Sequence, residues 1–215
     1  MALILNEHLE NECQLGIWEI QEDYDNLLNR LVLLPEEMEV VENFKNYDRK
    51  LEWLSVRVLL NEMTEQDLTI IYNGNRKPYV KGDLYNISIS HSKDLTAILL
   101  SQKKRVGIDM EYMSPRISRI AHRFINSDEI ITEETELNTF HMYIHWCAKE
   151  ALYKICDKEG ISIKRNITIE PFEVKDSGEI KGKVQTDKIN DSFDLFYTRY
   201  DNYAIVWTKK NYDKG

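Results

Sequence analysis

The chain has 215 residues, a formal net charge of −9, 42% apolar residues and 30% charged residues. Such a composition describes a folded globular protein of one large or two small domains, with no signature of disorder. The acidic balance excludes a broad nucleic-acid-binding or membrane-binding face, since both need clustered positive charge.

The opening run MALILNEHLENECQLGIWEI places acids where a leader carries basic residues, so no signal peptide is expected. No window reaches the ~18 apolar residues of a membrane span. Cys13, Cys147 and Cys156 contain no CxxC spacing, which argues against a disulfide framework or structural zinc and points to a reducing cytoplasm.

Pro35 and the two acids after it open a helix predicted over 35–63, with Phe44, Tyr47, Leu51, Leu54 and Val58 on one face. LTIIYN reads as a strand, followed by a turn at 73–75. Strands at 86–92 and 95–101 join at Lys93-Asp94, and VGIDMEY (106–112) forms another. A helix at about 117–125, a short helix capped by Ser127 and a long helix over 138–158 come next. The segments NITIEPFEV, GEIKGKV, FDLFYTRY and YAIVWTK alternate like a four-stranded meander, with turns at Ser177-Gly178 and Asp201-Asn202. The expected class is α+β with antiparallel sheets, and each half reads as helix-rich sequence followed by strands.

Asp109 and Glu111 stand two apart on a strand, so both carboxylates leave the same face. That face is either a solvated edge or, with Glu150 as a third carboxylate, a set of oxygen ligands for a hard divalent cation. In WCAKEALYK (146–154) the order Glu150 then Lys154 equally describes an ordinary surface ion pair worth roughly 0.2–0.5 kcal/mol. His91, flanked by Ser90 and Ser92, and the turn residues Arg76 and Lys77 are able to contact phosphate, or are simply exposed. His141 and His145 have the i, i+4 spacing of zinc ligands in HExxH enzymes, but Met142 stands where those enzymes carry the glutamate base. The chain contains no GxGxxG, Walker or GxSxG motif, which removes the common dinucleotide, P-loop and α/β-hydrolase readings.

Taken in order, RKP, NISISHS, VGIDMEY, RFINSDE and WCAKEALYK resemble the 4'-phosphopantetheinyl transferases, specifically the larger, monomeric surfactin-synthetase-activating type. The resemblance covers roughly residues 35–170. It implies two similar α+β halves (1–104 and 105–215) related by a pseudo-twofold, with antiparallel sheets each packed with a long helix. Coenzyme A and Mg²⁺ are expected in the cleft between the halves. The implied reaction moves the phosphopantetheine arm of coenzyme A to a serine of an apo acyl or peptidyl carrier protein, releasing 3',5'-ADP. The alternative is a catalytically inactive scaffold of the same fold that binds carrier proteins.

By the same resemblance Asp109, Glu111 and Glu150 hold the metal, Asp109, Glu150 and Lys154 carry the catalysis, and Lys154 also meets the pyrophosphate. Arg49, Arg57, Arg76, Lys77, Pro78, Ser90, His91 and Lys149 would serve coenzyme A. Arg116, Arg119, Ile120, Arg123 and Phe124 would meet an acidic carrier, supplying locally the positive charge that the whole chain lacks. Two departures stand out. Glu36, Glu37 and Glu39 follow Pro35 where the family usually has a basic residue, and Asn75-Arg76 takes the place of the usual glycine before Lys-Pro.

Overall fold

The computed structural model describes residues 2–9, 12–157 and 160–212. They form two compact units, Met1–Gln102 and Lys103–Gly215. The class is α+β, and every strand pairing is antiparallel.

The first unit opens with strands β1 (Leu3–Leu9) and β2 (Cys13–Glu19), which have no counterpart among the predicted elements, and the short helix α1 (Tyr24–Leu28). In place of one helix over 35–63 there are two, α2 (Pro35–Glu42) and α3 (Tyr47–Thr64). The break has a local cause: the Asn46 side chain accepts from the backbone N–H of Arg49 and starts a new helix, as asparagine does at an N-cap. Strands β3 (Ile70–Tyr72) and β4 (Pro78–Val80) make a small hairpin, and β5 (Asn86–Ser92) and β6 (Leu95–Ser101) complete a sheet of order β1-β2-β6-β5. Leu54, Leu59 and Leu60 of α3 are fully buried against Trp18, Ile98 and Leu100 of this sheet. Each such side chain contributes about 1.5–3 kcal/mol by leaving water.

The second unit contains β7 (Lys104–Tyr112), α4 (Ile117–Ile120) with a 3₁₀ turn at Ala121–Arg123, α5 (Thr135–Ile155), α6 (Ile163–Asn166), β8 (Ile167–Ile169), β9 (Ser177–Gln185), β10 (Asn190–Tyr200) and β11 (Tyr203–Asn211). Its sheet runs β7-β11-β10-β9-β8, a meander closed by β7 at one edge. No helix forms at Ser127; residues 126–129 make a turn in which Asn126 Oδ1 accepts from the Asp128 N–H at 3.0 Å. The strand predicted from NITIEPFEV ends at Ile169, and Ser177 and Gly178 belong to β9 rather than to a turn. Pro171, lacking an N–H, interrupts the ladder. The final residue of the helix predicted over 138–158 lies outside the described residues. Helix α5 crosses the sheet with Phe140, Ile144, Ala148 and Leu152 buried in the core of the unit. Among the described residues no helix is long and apolar enough to cross a membrane.

Candidate active site on the β7 edge and helix α5

Gly107 sets the geometry. A Cβ at this position would overlap the carbonyl oxygen of Ala151, so the strand lies directly against α5 only because glycine stands there. Side chains two residues apart share a strand face, and Arg105 Nη2 donates to the Ile155 carbonyl at 2.7 Å on that same side. Asp109 and Glu111 therefore face α5. Their proximity to the helix is felt by Cys147, whose thiol is pushed well up by burial and then by the negative charges of Asp109 and Glu111.

On the helix, Cys147, Ala151 and Lys154 lie along the stripe that meets β7. Lys154 Nζ donates to Asp109 Oδ1 at 2.8 Å and to the Ile108 carbonyl at 2.9 Å. Glu150 is three residues after Cys147 and four before Lys154, so helical geometry puts it on this stripe, and it is half-buried. Tertiary structure thus bonds Lys154 to Asp109, a strand carboxylate 45 residues away in sequence, with Glu111 on the same strand face and Glu150 on the same helix stripe.

Among the described residues no three His, Cys, Asp or Glu side chains stand ready-grouped around a metal position. The donor chemistry nevertheless fits a hard divalent cation: the facing groups are carboxylates, with no imidazole, and the adjacent thiol is kept protonated by burial. Binding such an ion would require the carboxylates to converge.

The residues expected to serve coenzyme A fall into three groups. Arg49 Nη1 lies 2.7 Å from His91 Nε2 and 2.8 Å from Glu52 Oε2, joining α3 to β5 in an exposed cluster, with Ser90 buried beside it. Because arginine only donates, His91 Nε2 accepts in this pair. Arg76 and Lys77 lie on the turn before Pro78, where Asn73 Oδ1 accepts from the N–H groups of Asn75 at 3.0 Å and Lys77 at 2.9 Å. Arg76 has φ 58°, the left-handed conformation that glycine adopts without strain.

Arg57 and Lys149 require correction, because neither reaches the surface. Arg57 is buried against the Trp53 ring, 3.1 Å from its centroid, and its Nε donates to Glu37 Oε1 at 3.0 Å. Glu37, one of the acids that made the segment after Pro35 look ill-suited to an anion, is therefore a structural partner of Arg57. Lys149 has no exposed side-chain surface and pairs with Glu129 at 2.7 Å. Five residues along α5 from Lys154 is about 140° of rotation, so the two lysines point to different sides.

Arg116, Arg119 and Arg123 are exposed, as is Ile120 at 36%. Phe124 is corrected too: it is 0% exposed and packs edge-on against Trp146, 5.2 Å between centroids, so it anchors this segment from beneath. Lys164, which donates to the His122 carbonyl at 2.8 Å, adds positive charge that sequence order gave no reason to associate with the arginines.

Glu129 was visible in sequence only as the end of RFINSDE. Burial would raise its carboxyl, but His145 at 3.6 Å, Lys149 and the Asn126 N–H outweigh that and hold it below the ordinary carboxylate range.

His141 and His145 are core residues packed on Phe172, His141 edge-on at 4.6 Å and His145 stacked at 5.6 Å between centroids. The Thr132 N–H donates to His141 Nδ1 at 3.1 Å, so this imidazole is neutral with its proton on Nε2. Burial, reinforced by His145, pulls His141 down to about 4. An unfolded histidine titrates near 6.5, so as pH falls the unfolded chain takes up the proton first. The stability contribution is complete above pH 6.5 and is lost between there and about 4, a change of about 3 kcal/mol at most. In His141→Asn, which keeps an acceptor near the Nδ1 position, urea midpoints measured from pH 7 to pH 4.5 are expected to fall less steeply than in the wild type. An equal slope would show that His141 is not the titrating group.

The sequence model of the 4'-phosphopantetheinyl transferase superfamily matches residues 105–208, from β7 into β11. Two curated relatives, each named 4'-phosphopantetheinyl transferase AcpT, come from Salmonella typhi and from Salmonella typhimurium strain LT2. Each is 30% identical over 112 residues, which is 49% of this chain and 58% of the relative. The chain thus spans little more than half the length of these relatives.

Proposed function

From the match of residues 105–208 to the 4'-phosphopantetheinyl transferase superfamily, we propose that the chain transfers the phosphopantetheine arm of coenzyme A to a serine of an apo carrier protein. The observation that carries this reading is the meeting of the Asp109 and Glu111 face of β7 with the Glu150 and Lys154 stripe of α5, sealed by the 2.8 Å bond from Lys154 to Asp109. The enzyme would act as a cytoplasmic monomer, and Mg²⁺ would be held by Asp109, Glu111 and Glu150. When bound, that ion would withdraw negative charge from the pyrophosphate under attack.

The chain's own groups do the rest. The serine oxygen attacks the phosphorus bearing the pantetheine arm, the P–O bond to the second phosphate breaks, and 3',5'-ADP departs. Glu150 takes the serine proton, directly or through water. Lys154 is already positioned as a donor beside Asp109, and its Nζ offers a proton and a positive charge to the departing oxygen. Arg49, His91, Arg76 and Lys77 are assigned to the anionic groups of coenzyme A, each by charge or donor capacity. Arg116, Arg119, Ile120 and Arg123 are assigned to the carrier.

The test is to incubate the protein with coenzyme A, Mg²⁺ and apo carrier proteins of the fatty-acid, polyketide and peptide-synthetase classes, and to weigh the carriers by mass spectrometry. The expected result is a mass gain of one phosphopantetheine on the carrier serine. No gain with any class, from folded protein, overturns the reading in favour of an inactive carrier-binding scaffold.

A further inference from the structure

The pair Glu129–Lys149 is part of neither the carboxylate face of β7 nor the exposed arginine surface, yet it touches the elements that carry them. Both side chains are wholly buried, 2.7 Å apart. Glu129 also accepts from the N–H of Asn126 at 2.9 Å and of Ile169 at 2.8 Å, and Lys149 donates to the Phe124 carbonyl at 2.7 Å. The loop after the arginines, edge strand β8 and helix α5 therefore meet at one carboxylate. Asn126 Nδ2 ties the loop to β8 again through the Ile167 carbonyl at 3.3 Å and Thr168 Oγ1 at 3.1 Å.

A buried ion pair adds little net stability over apolar residues of the same volume. Helix α5 is already held by Phe140, Ile144, Ala148 and Leu152. What the pair supplies is placement. Helix α4 and the 3₁₀ turn are four and three residues long, too short to hold their own conformation. They are pinned by the buried Ile117 at one end and Phe124 at the other, and the Phe124 backbone is held by Lys149.

Resting on the transferase reading, we propose that Glu129 and Lys149 are positioning residues: they hold the exposed Arg116–Arg123 surface in fixed register with the face of α5 that carries Glu150 and Lys154. A carrier docked on those arginines then presents its serine to Glu150. Lys149 directly precedes Glu150, so any shift of the Phe124 carbonyl relative to Lys149 is also a shift relative to the reacting carboxylate.

The experiment compares wild type, Lys149→Met, Glu129→Gln and the double variant. The double variant removes both charges at similar volume and strands no buried charge; because the glutamine amide nitrogen must face one of the two N–H groups that Glu129 accepts from, urea midpoints check that it keeps the fold. Steady-state loading is measured separately against carrier and coenzyme A, alongside amide hydrogen exchange of residues 116–134 and 140–155. In the double variant the KM for the carrier is expected to rise roughly tenfold, while the KM for coenzyme A stays within about twofold. Exchange should quicken in 116–134 and not in 140–155. An unchanged carrier KM with slow exchange in 116–134 overturns the proposal, and so does an equal loss against both substrates with faster exchange in α5, the mark of general loosening. If the wild type loads no carrier, it is the transferase reading that fails, and the exchange data still decide whether the pair pins the segment.

Discussion

Gly107→Ala is expected to destabilise the protein by roughly 3 kcal/mol and to suppress transfer, although no reacting group is altered. The added Cβ would overlap the Ala151 carbonyl oxygen and crowd the Ala151 carbonyl carbon at 3.1 Å and Ile155 Cβ at 3.2 Å. The first two obstacles are helix backbone, which no side-chain rotation can clear. Either β7 or α5 must move, and each movement draws Lys154 away from Asp109. Gly74→Ala is the control: a Cβ there meets nothing within 4 Å, so its effect should stay within about 0.5 kcal/mol. Urea unfolding and carrier loading read both variants. A Gly107→Ala protein with wild-type midpoint and loading rate would mean that the close contact of β7 with α5 is not needed.

Glu150→Gln and Asp109→Asn are expected to lose at least about a hundredfold in kcat while remaining folded. Glu150 is half-buried, and glutamine keeps its volume. Asp109→Asn leaves Lys154 without its anion, but that lysine side chain is 21% exposed and can turn to water, so the cost in stability is modest. Mg²⁺ titration by calorimetry gives a readout separate from turnover. Both variants should bind the ion more weakly than the wild type, and the thermal midpoint without metal should change little. Wild-type loading by purified Glu150→Gln would remove that residue from the mechanism. Wild-type affinity for Mg²⁺ in both variants would remove the carboxylates from the metal.

Each half of the candidate site was readable because its logic is local. Alternation along a strand puts Asp109 and Glu111 on one side whatever the strand packs against, and the four-residue step puts Glu150 and Lys154 on one stripe of any helix. What could not be read locally was which charged side chains go inside. Arg57, Lys149 and Glu129 look like surface residues by type, because burying a charge is costly without a partner. The partners lie 20 residues away in both cases, Glu37 for Arg57 and Glu129 for Lys149, on elements whose packing no local pattern specifies. Phe124 fails for the opposite reason: it directly follows the exposed Arg123, yet the short turn rotates it inward onto Trp146.

Sequence by itself determined the α+β class, the antiparallel pairings of 86–101, the helix that carries Glu150 and the family that the motifs resemble. All of these follow from periodicity, turn chemistry or the order of short motifs. Only the tertiary structure decided that Lys154 bonds Asp109, that Arg57 and Lys149 are internal, and that the arginine surface is tied to α5. Those outcomes depend on the desolvation of charges and on distances across the fold, and these exist only once the chain has packed.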